Sequence, residues 1–183
     1  MIFAVVLIAA SFGMFAFTAK NSDVYNVNTG TSKVEFIGSK TDGYHPGYFN
    51  LKSGQVTLDG GKLTGGSFVI DLASMKVTDA AGEKLEGHLK APDFLDFGKS
   101  TEAKFVISNT KYVSASKVDI DGILTLKGVT APIKFTANVR GADEKSFFAE
   151  AAFSLDRTAF GIKYGVGKIS SDVQIIVHLF AAK

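Results

Sequence analysis

From Lys20 onward, apolar and polar residues alternate with a period of two. The clearest run sets Val118, Ile120, Gly122, Leu124 and Leu126 against Asp119, Asp121, Thr125 and Lys127, the pattern of a strand with one buried and one wet face. Ile133, Phe135, Ala137 and Val139 repeat it against Lys134, Thr136, Asn138 and Arg140, after the turn-like Gly128-Val129-Thr130-Ala131-Pro132. The two runs predict a hairpin. Further strands are expected at 25–28, 32–39, 47–51, 54–59, 62–73, 101–109, 146–156 and 169–181, and Asp59-Gly60-Gly61-Lys62 marks a tight hairpin turn. One stretch is helical in pattern: over 82–90, Leu85 and Leu89 fall four residues apart, with Glu83, Lys84, Glu86 and Lys90 on the wet side. Pro92 stops it, and Asp93-Phe94-Leu95-Asp96-Phe97 reads as an aromatic turn or a second brief helix with Asp93 as N-cap. With roughly eight to ten strands in the pattern, the chain is expected to be all-β and to close as a single antiparallel barrel, set at eight-stranded, with a short helical insertion around residues 82–97; a sandwich is the alternative. No internal repeat or linker-like break divides it.

Charge changes the picture at the N-terminus. Residues 1–19 of the 183 carry no Asp, Glu, Lys or Arg, and Ile2 to Ala10 form an unbroken apolar run. Small residues Ala16, Thr18 and Ala19 precede the first charge at Lys20. This reads as an export leader that is cleaved, or as an N-terminal membrane anchor that is kept. At about 1.5 Å per helical residue it reaches roughly 28 Å, close to a hydrocarbon core of about 30 Å, so length fits both. Residues 20–183 are then the working domain, in the periplasm or otherwise exported. Their net charge of +2 is spread in alternation, with no basic stripe to hold nucleic acid. Cys is absent, which removes disulfides, thiol nucleophiles, iron–sulfur clusters and a lipid-modified N-terminal cysteine.

The aromatic content is sixteen Phe and five Tyr with no Trp, and Phe36, Phe49, Phe68, Phe105, Phe135, Phe153 and Phe180 all fall within strands. Such rings fill a solid core or line a ligand cavity, and a barrel of eight strands has an interior suited to either. Site chemistry is sparse. His45, His88 and His178 show no metal-ligand spacing, and there is no GxSxG, P-loop or GxGxxG. No catalytic residue, metal or cofactor is assigned. Asp156-Arg157 closes an apolar strand, where Arg157 is expected either in a buried ion pair or at a ligand head group.

Five segments carry a family resemblance. They are His45-Pro46-Gly47-Tyr48-Phe49, the strand from Gly66 to Met75, Gly87-His88-Leu89-Lys90-Ala91-Pro92-Asp93-Phe94-Leu95-Asp96, the hairpin from Asp121 to Thr130, and Leu155-Asp156-Arg157-Thr158-Ala159-Phe160-Gly161-Ile162. Together they resemble the YceI-like proteins, exported polyisoprenoid-binding proteins with a lipocalin-like barrel. Where that family carries an Arg-Asp pair before the helix histidine, this chain has Leu85-Glu86. The resemblance implies a hollow barrel that holds a polyisoprenoid or isoprenoid quinone for carriage, storage or sequestration, with no enzymatic activity. It implies a lumen lined by Phe36, Phe49, Phe68, Ile70, Phe94, Phe105, Ile120, Leu124, Phe135, Phe153, Phe160 and Val173, polar contacts from His45, His88, Asp93 and Arg157, and transient contact with a membrane. Two alternatives stay open: an enzyme of the same fold acting on a small apolar substrate, with His88 or His45 as base, and a solid-core stress-response or interaction protein.

Overall fold

The computed structural model describes residues 22–183, and the expected leader at 1–19 lies outside them. The strands are β1 (Asp23–Val27), β2 (Lys33–Lys40), β3 (Gly43–Asp59), β4 (Lys62–Val77), β5 (Glu102–Tyr112), β6 (Lys117–Leu126), β7 (Val129–Ala142), β8 (Ser146–Asp156) and β9 (Ile169–Ala182). One helix, α1 (Gly82–Leu89), follows β4, and a 3-10 turn, Arg157–Phe160, follows β8. From β2 to β9 each strand pairs antiparallel with the next, and β9 pairs back onto β2, closing the sheet into a barrel of eight staves.

β1 and β2 share one stave. β1 lies along Gln55–Leu58 of β3 and Ala181–Ala182 of β9, while β2 lies along 43–50 and 169–178 of the same two strands. Between them the chain leaves the ladder, and Ser32 repairs the gap. Its fully buried hydroxyl accepts from Phe180 N at 2.9 Å, the bond that a strand carbonyl would otherwise take, and donates to Phe180 O at 3.1 Å, which also accepts from Asn28 N at 2.8 Å.

Several elements differ from the pattern-based expectation. The segments 47–51 and 54–59 are parts of the single strand β3, whose register against β4 shifts between Tyr48 and Asn50 and between Leu51 and Ser53. Such bulges let a long strand bend round a barrel. The turn expected over 128–132 is only Lys127-Gly128, at φ of 53° and 77°, the two-residue loop whose twist matches a hairpin. Val129 to Pro132 already pair with Leu126 to Ile123. Proline is tolerated there because β7 pairs with β8 only from Ala137 onward, so that upper β7 is a sheet edge on its other side. Residues 93–97 form turns instead of a second helix. Asp96 has a positive φ of 54°, incompatible with a right-handed helix, and Asp93 caps nothing; its carboxylate faces His88 at 3.6 Å.

The two barrel ends are unlike. One carries the β3–β4, β5–β6 and β7–β8 turns and the start of β1, and it is packed solid by the fully buried Tyr25, Val56, Leu58, Val118 and Phe147. The Tyr25 hydroxyl donates to Asp143 O at 2.7 Å, and Leu63 N donates to the Tyr112 hydroxyl at 2.8 Å. The opposite end carries the β2–β3 hairpin, α1, the 3-10 turn and the 161–168 loop. There α1 lies across the barrel, with Leu85 and Leu89 packed on Phe36, Met75 and Val77. Among the described residues no helix is long and apolar enough to cross a membrane.

Candidate functional site

The interior is hollow. A cavity of about 420 Å³ runs down the barrel, within the few-hundred-to-thousand Å³ range of small-molecule sites. At mid-height it is ringed by phenylalanine. Phe36 and Phe49 meet at 5.1 Å between ring centres, and Phe68, Phe105, Phe135 and Phe153 follow one another at 6.1, 5.7 and 4.3 Å. These six rings come from β2, β3, β4, β5, β7 and β8, while Ile175 of β9, paired with both Phe36 and Phe153, completes the circuit. β6 contributes Gly122, over which the Phe105 ring lies to reach Phe135: a Cβ there would overlap that ring and come within 2.9 Å of Val106 O. Gly122→Ala is accordingly expected to cost about 1–3 kcal/mol as an overpacked core position. Urea denaturation should show the loss, and a second change, Phe105→Leu, should recover part of it.

The empty space has a local cause. On the β7–β8 wall the inward positions beside the girdle are Ala137, Ala149 and Ala151, all buried and all lining the cavity, where other strands carry Leu, Ile or Phe. Among the residues expected in the lumen, Phe36, Phe49, Phe68, Ile70, Phe94, Phe105, Ile120, Leu124, Phe135, Phe153 and Val173 line it. Phe160 does not. It is fully buried in the 3-10 turn, which packs on β7 and β9 where β7 and β8 have parted, and so belongs to the wall. Phe180 faces outward, stacked on Phe148 at 4.3 Å. The three alanines were not anticipated, although the inward series Phe147, Ala149, Ala151, Phe153 shows in the sequence a strand that alternates between filling space and leaving it.

The polar residues gather at the end covered by α1. The cavity lining reaches the surface at Lys40, His88 and Ser170, which are exposed and mark the mouth. His45 also lines it, and its Nδ1 is 2.7 Å from Asp79 Oδ2. Asp79 Oδ1 accepts from Ala81 N at the start of α1, so one carboxylate pins the helix to the hairpin. Its hydrogen bond with His45 holds the Asp79 pKa below the ordinary carboxylate value. His88 stands edge-on to Phe94 and Tyr164, each at 4.9 Å. Asp93 lies beside it, outside the lining. Glu86, two residues before His88 and expected on the wet side, is instead buried and accepts from Val77 N at 3.0 Å, and Leu85 lines the lumen. His178 is on the outer wall near Glu150.

Among the described residues Arg157 has no ion-pair partner. Its Nε, Nη1 and Nη2 donate to the carbonyls of Ser170, Ile162 and Ile169 at 2.8, 2.7 and 3.2 Å, while Asp156 is taken up by Thr158 N and Oγ1. Burial lowers the Arg157 pKa from its ordinary value, and the nearby Asp156 charge acts the other way. A guanidinium remains charged under these conditions, so a cation without a carboxylate partner stands in the cavity wall at the mouth. Among the described residues no cluster of His, Asp or Glu could hold a metal ion.

An up-and-down barrel of eight staves, sealed at one end and with an apolar lumen opening under a short helix, defines a lipocalin-like interior-binding architecture. The chain belongs to the YceI-like domain family, whose profile matches residues 25–181. A UPF0312 protein of Pseudomonas putida strain W619 is 31% identical over 142 residues, 75% of this chain and 73% of that protein. Among solved structures, BcnA of Burkholderia cenocepacia superposes with a TM-score of 0.74 at 24% identity, covering 85% of this chain and 99% of BcnA. A polyisoprenoid-binding domain from Saccharophagus degradans, implicated in plant cell wall breakdown, gives 0.69 at 18% identity over 86% of this chain and 97% of that domain.

Proposed function

We propose that the protein is an exported, noncatalytic carrier that shields a polyisoprenoid or an isoprenoid quinone from water. The observation that carries this reading is the cavity of about 420 Å³ walled mainly by phenylalanine, leucine, isoleucine and alanine, with Lys40, His45, His88 and Arg157 at its mouth and Glu150 the one other titratable residue in its lining. A chain of isoprene units offers only apolar surface, and each buried CH₂ contributes about 0.8 kcal/mol. A few dozen carbons would nominally exceed the ceiling of about 20 kcal/mol for noncovalent affinity, so ordering the tail offsets much of the gain. A barrel about 25 Å tall also leaves a long tail folded back or protruding. The lumen supplies affinity, and His45, His88 and Arg157 at its mouth select the head group. The ligand class of the Saccharophagus degradans domain and the export-leader pattern of residues 1–19 support the same reading.

Protein purified from its own host, examined by native mass spectrometry and organic extraction, is expected to yield an isoprenoid lipid in near-stoichiometric amount. Repeated recovery of empty protein that also refuses added polyprenol and quinone would reject the proposal.

A further inference from the structure

The rim of the mouth has a composition of its own. The tip of the β2–β3 hairpin is joined to the 161–168 loop, as Thr41 N and Oγ1 both donate to Lys168 O at 3.1 and 3.2 Å. From this joined surface Tyr44, Tyr164 and Val166 project at 66, 45 and 57% exposure. Lys163 and Lys168 are exposed beside them, and neither has a carboxylate partner among the described residues. The 161–168 loop contains no Asp or Glu. Asp42 of the hairpin is held by Lys40 at 3.1 Å, and Asp93 by His88. A shallow cup lies between the two segments, lined by Ser39, Lys40, Thr41, Lys168, Ser170 and Ser171. It shares Ser39, Lys40, Ile169 and Ser170 with the lumen, so the basic, hydroxyl-bearing surface is continuous with the greasy interior.

We infer that this rim is a docking surface for an anionic lipid bilayer. Exposed tyrosines with a neighbouring aliphatic tip suit the headgroup boundary, where amphipathic rings concentrate. Unpaired lysines add attraction to a negatively charged leaflet, screened by salt. The cup offers ammonium and hydroxyl donors to the phosphates of that surface. Docked in this way, the mouth meets the bilayer directly, and an apolar tail passes between membrane and lumen without crossing water.

The chain has no tryptophan, so Val166→Trp in the full-length protein is a unique reporter on the rim, and Tyr44→Trp an independent second one on the hairpin. With vesicles of phosphatidylcholine and phosphatidylglycerol, the emission of either reporter is expected to move to shorter wavelength; with pure phosphatidylcholine it should not. Lys163→Gln together with Lys168→Gln should weaken the partition about 25-fold, and high salt should abolish it. An unchanged emission from both reporters, or an equal shift with neutral vesicles or in the lysine variant, would overturn the inference. Lipid extracted from the same preparation separates this from the carrier reading: protein that carries lipid while both reporters ignore anionic vesicles defeats docking alone.

Discussion

Ala151→Phe is expected to exclude lipid from the protein and leave the fold intact. Ala151 is buried on β8, lines the cavity, and is flanked by Ala137 on β7 and Val177 on β9. A phenyl ring there extends into space that is already vacant, so the usual overpacking cost of about 1–3 kcal/mol does not arise. The melting temperature should hold or rise as the ring gains contacts. The ligand meanwhile loses room for about six carbons, and at about 0.8 kcal/mol for each CH₂ the affinity should fall by up to about three orders of magnitude. Differential scanning calorimetry and lipid extraction on the same sample check both halves. A barrel plugged by its own side chains gives the reverse, a strongly destabilised variant, and that result would refute the hollow interior.

The second large effect falls on Arg157. Arg157→Met removes three charge-assisted hydrogen bonds and leaves the carbonyls of Ile162, Ile169 and Ser170 without their donors. The expected loss is roughly 3–5 kcal/mol in guanidinium denaturation, by analogy with broken buried polar networks. Hydrogen exchange should accelerate in 161–170 before it does in β6 or β7. Arg157→Lys should rescue little, because an ammonium on a flexible stem cannot span three carbonyls at fixed angles. A stable Arg157→Met variant that binds lipid normally would show that the side chain neither braces the rim nor meets the ligand.

Local pattern made much of the architecture legible. The alternation of Val118 to Leu126 is β6, Asp59-Gly60-Gly61-Lys62 is the β3–β4 hairpin, and Leu85 and Leu89 face inward from α1. What escaped depends on partners distant in the chain. Ser32 bridges the break between β1 and β2 by bonding Phe180, a residue 148 positions away. His45 is oriented by Asp79, which no short motif announces. Arg157 passes over its neighbour Asp156 for three carbonyls, because Asp156 is committed to the first turn after β8. The hollow itself goes with alanines at neighbouring inward positions of β7 and β8, where Ala137 pairs with Ala151, a relation between strands that alternation within one strand does not encode. The family resemblance implies Phe160 in the lumen; its position in the wall follows from the parting of β7 and β8.

The chain enters β1 at the sealed end, where Asp23 pairs with Leu58, while the opening lies at the far pole. Any upstream segment kept in a bilayer would thus hold the plugged base against that membrane and aim the aperture away from it, by about 25 Å. If the rim docks as proposed, retention of the N-terminal segment would address a second membrane: a retained form would span facing sheets of lipid, and a released form would shuttle between them.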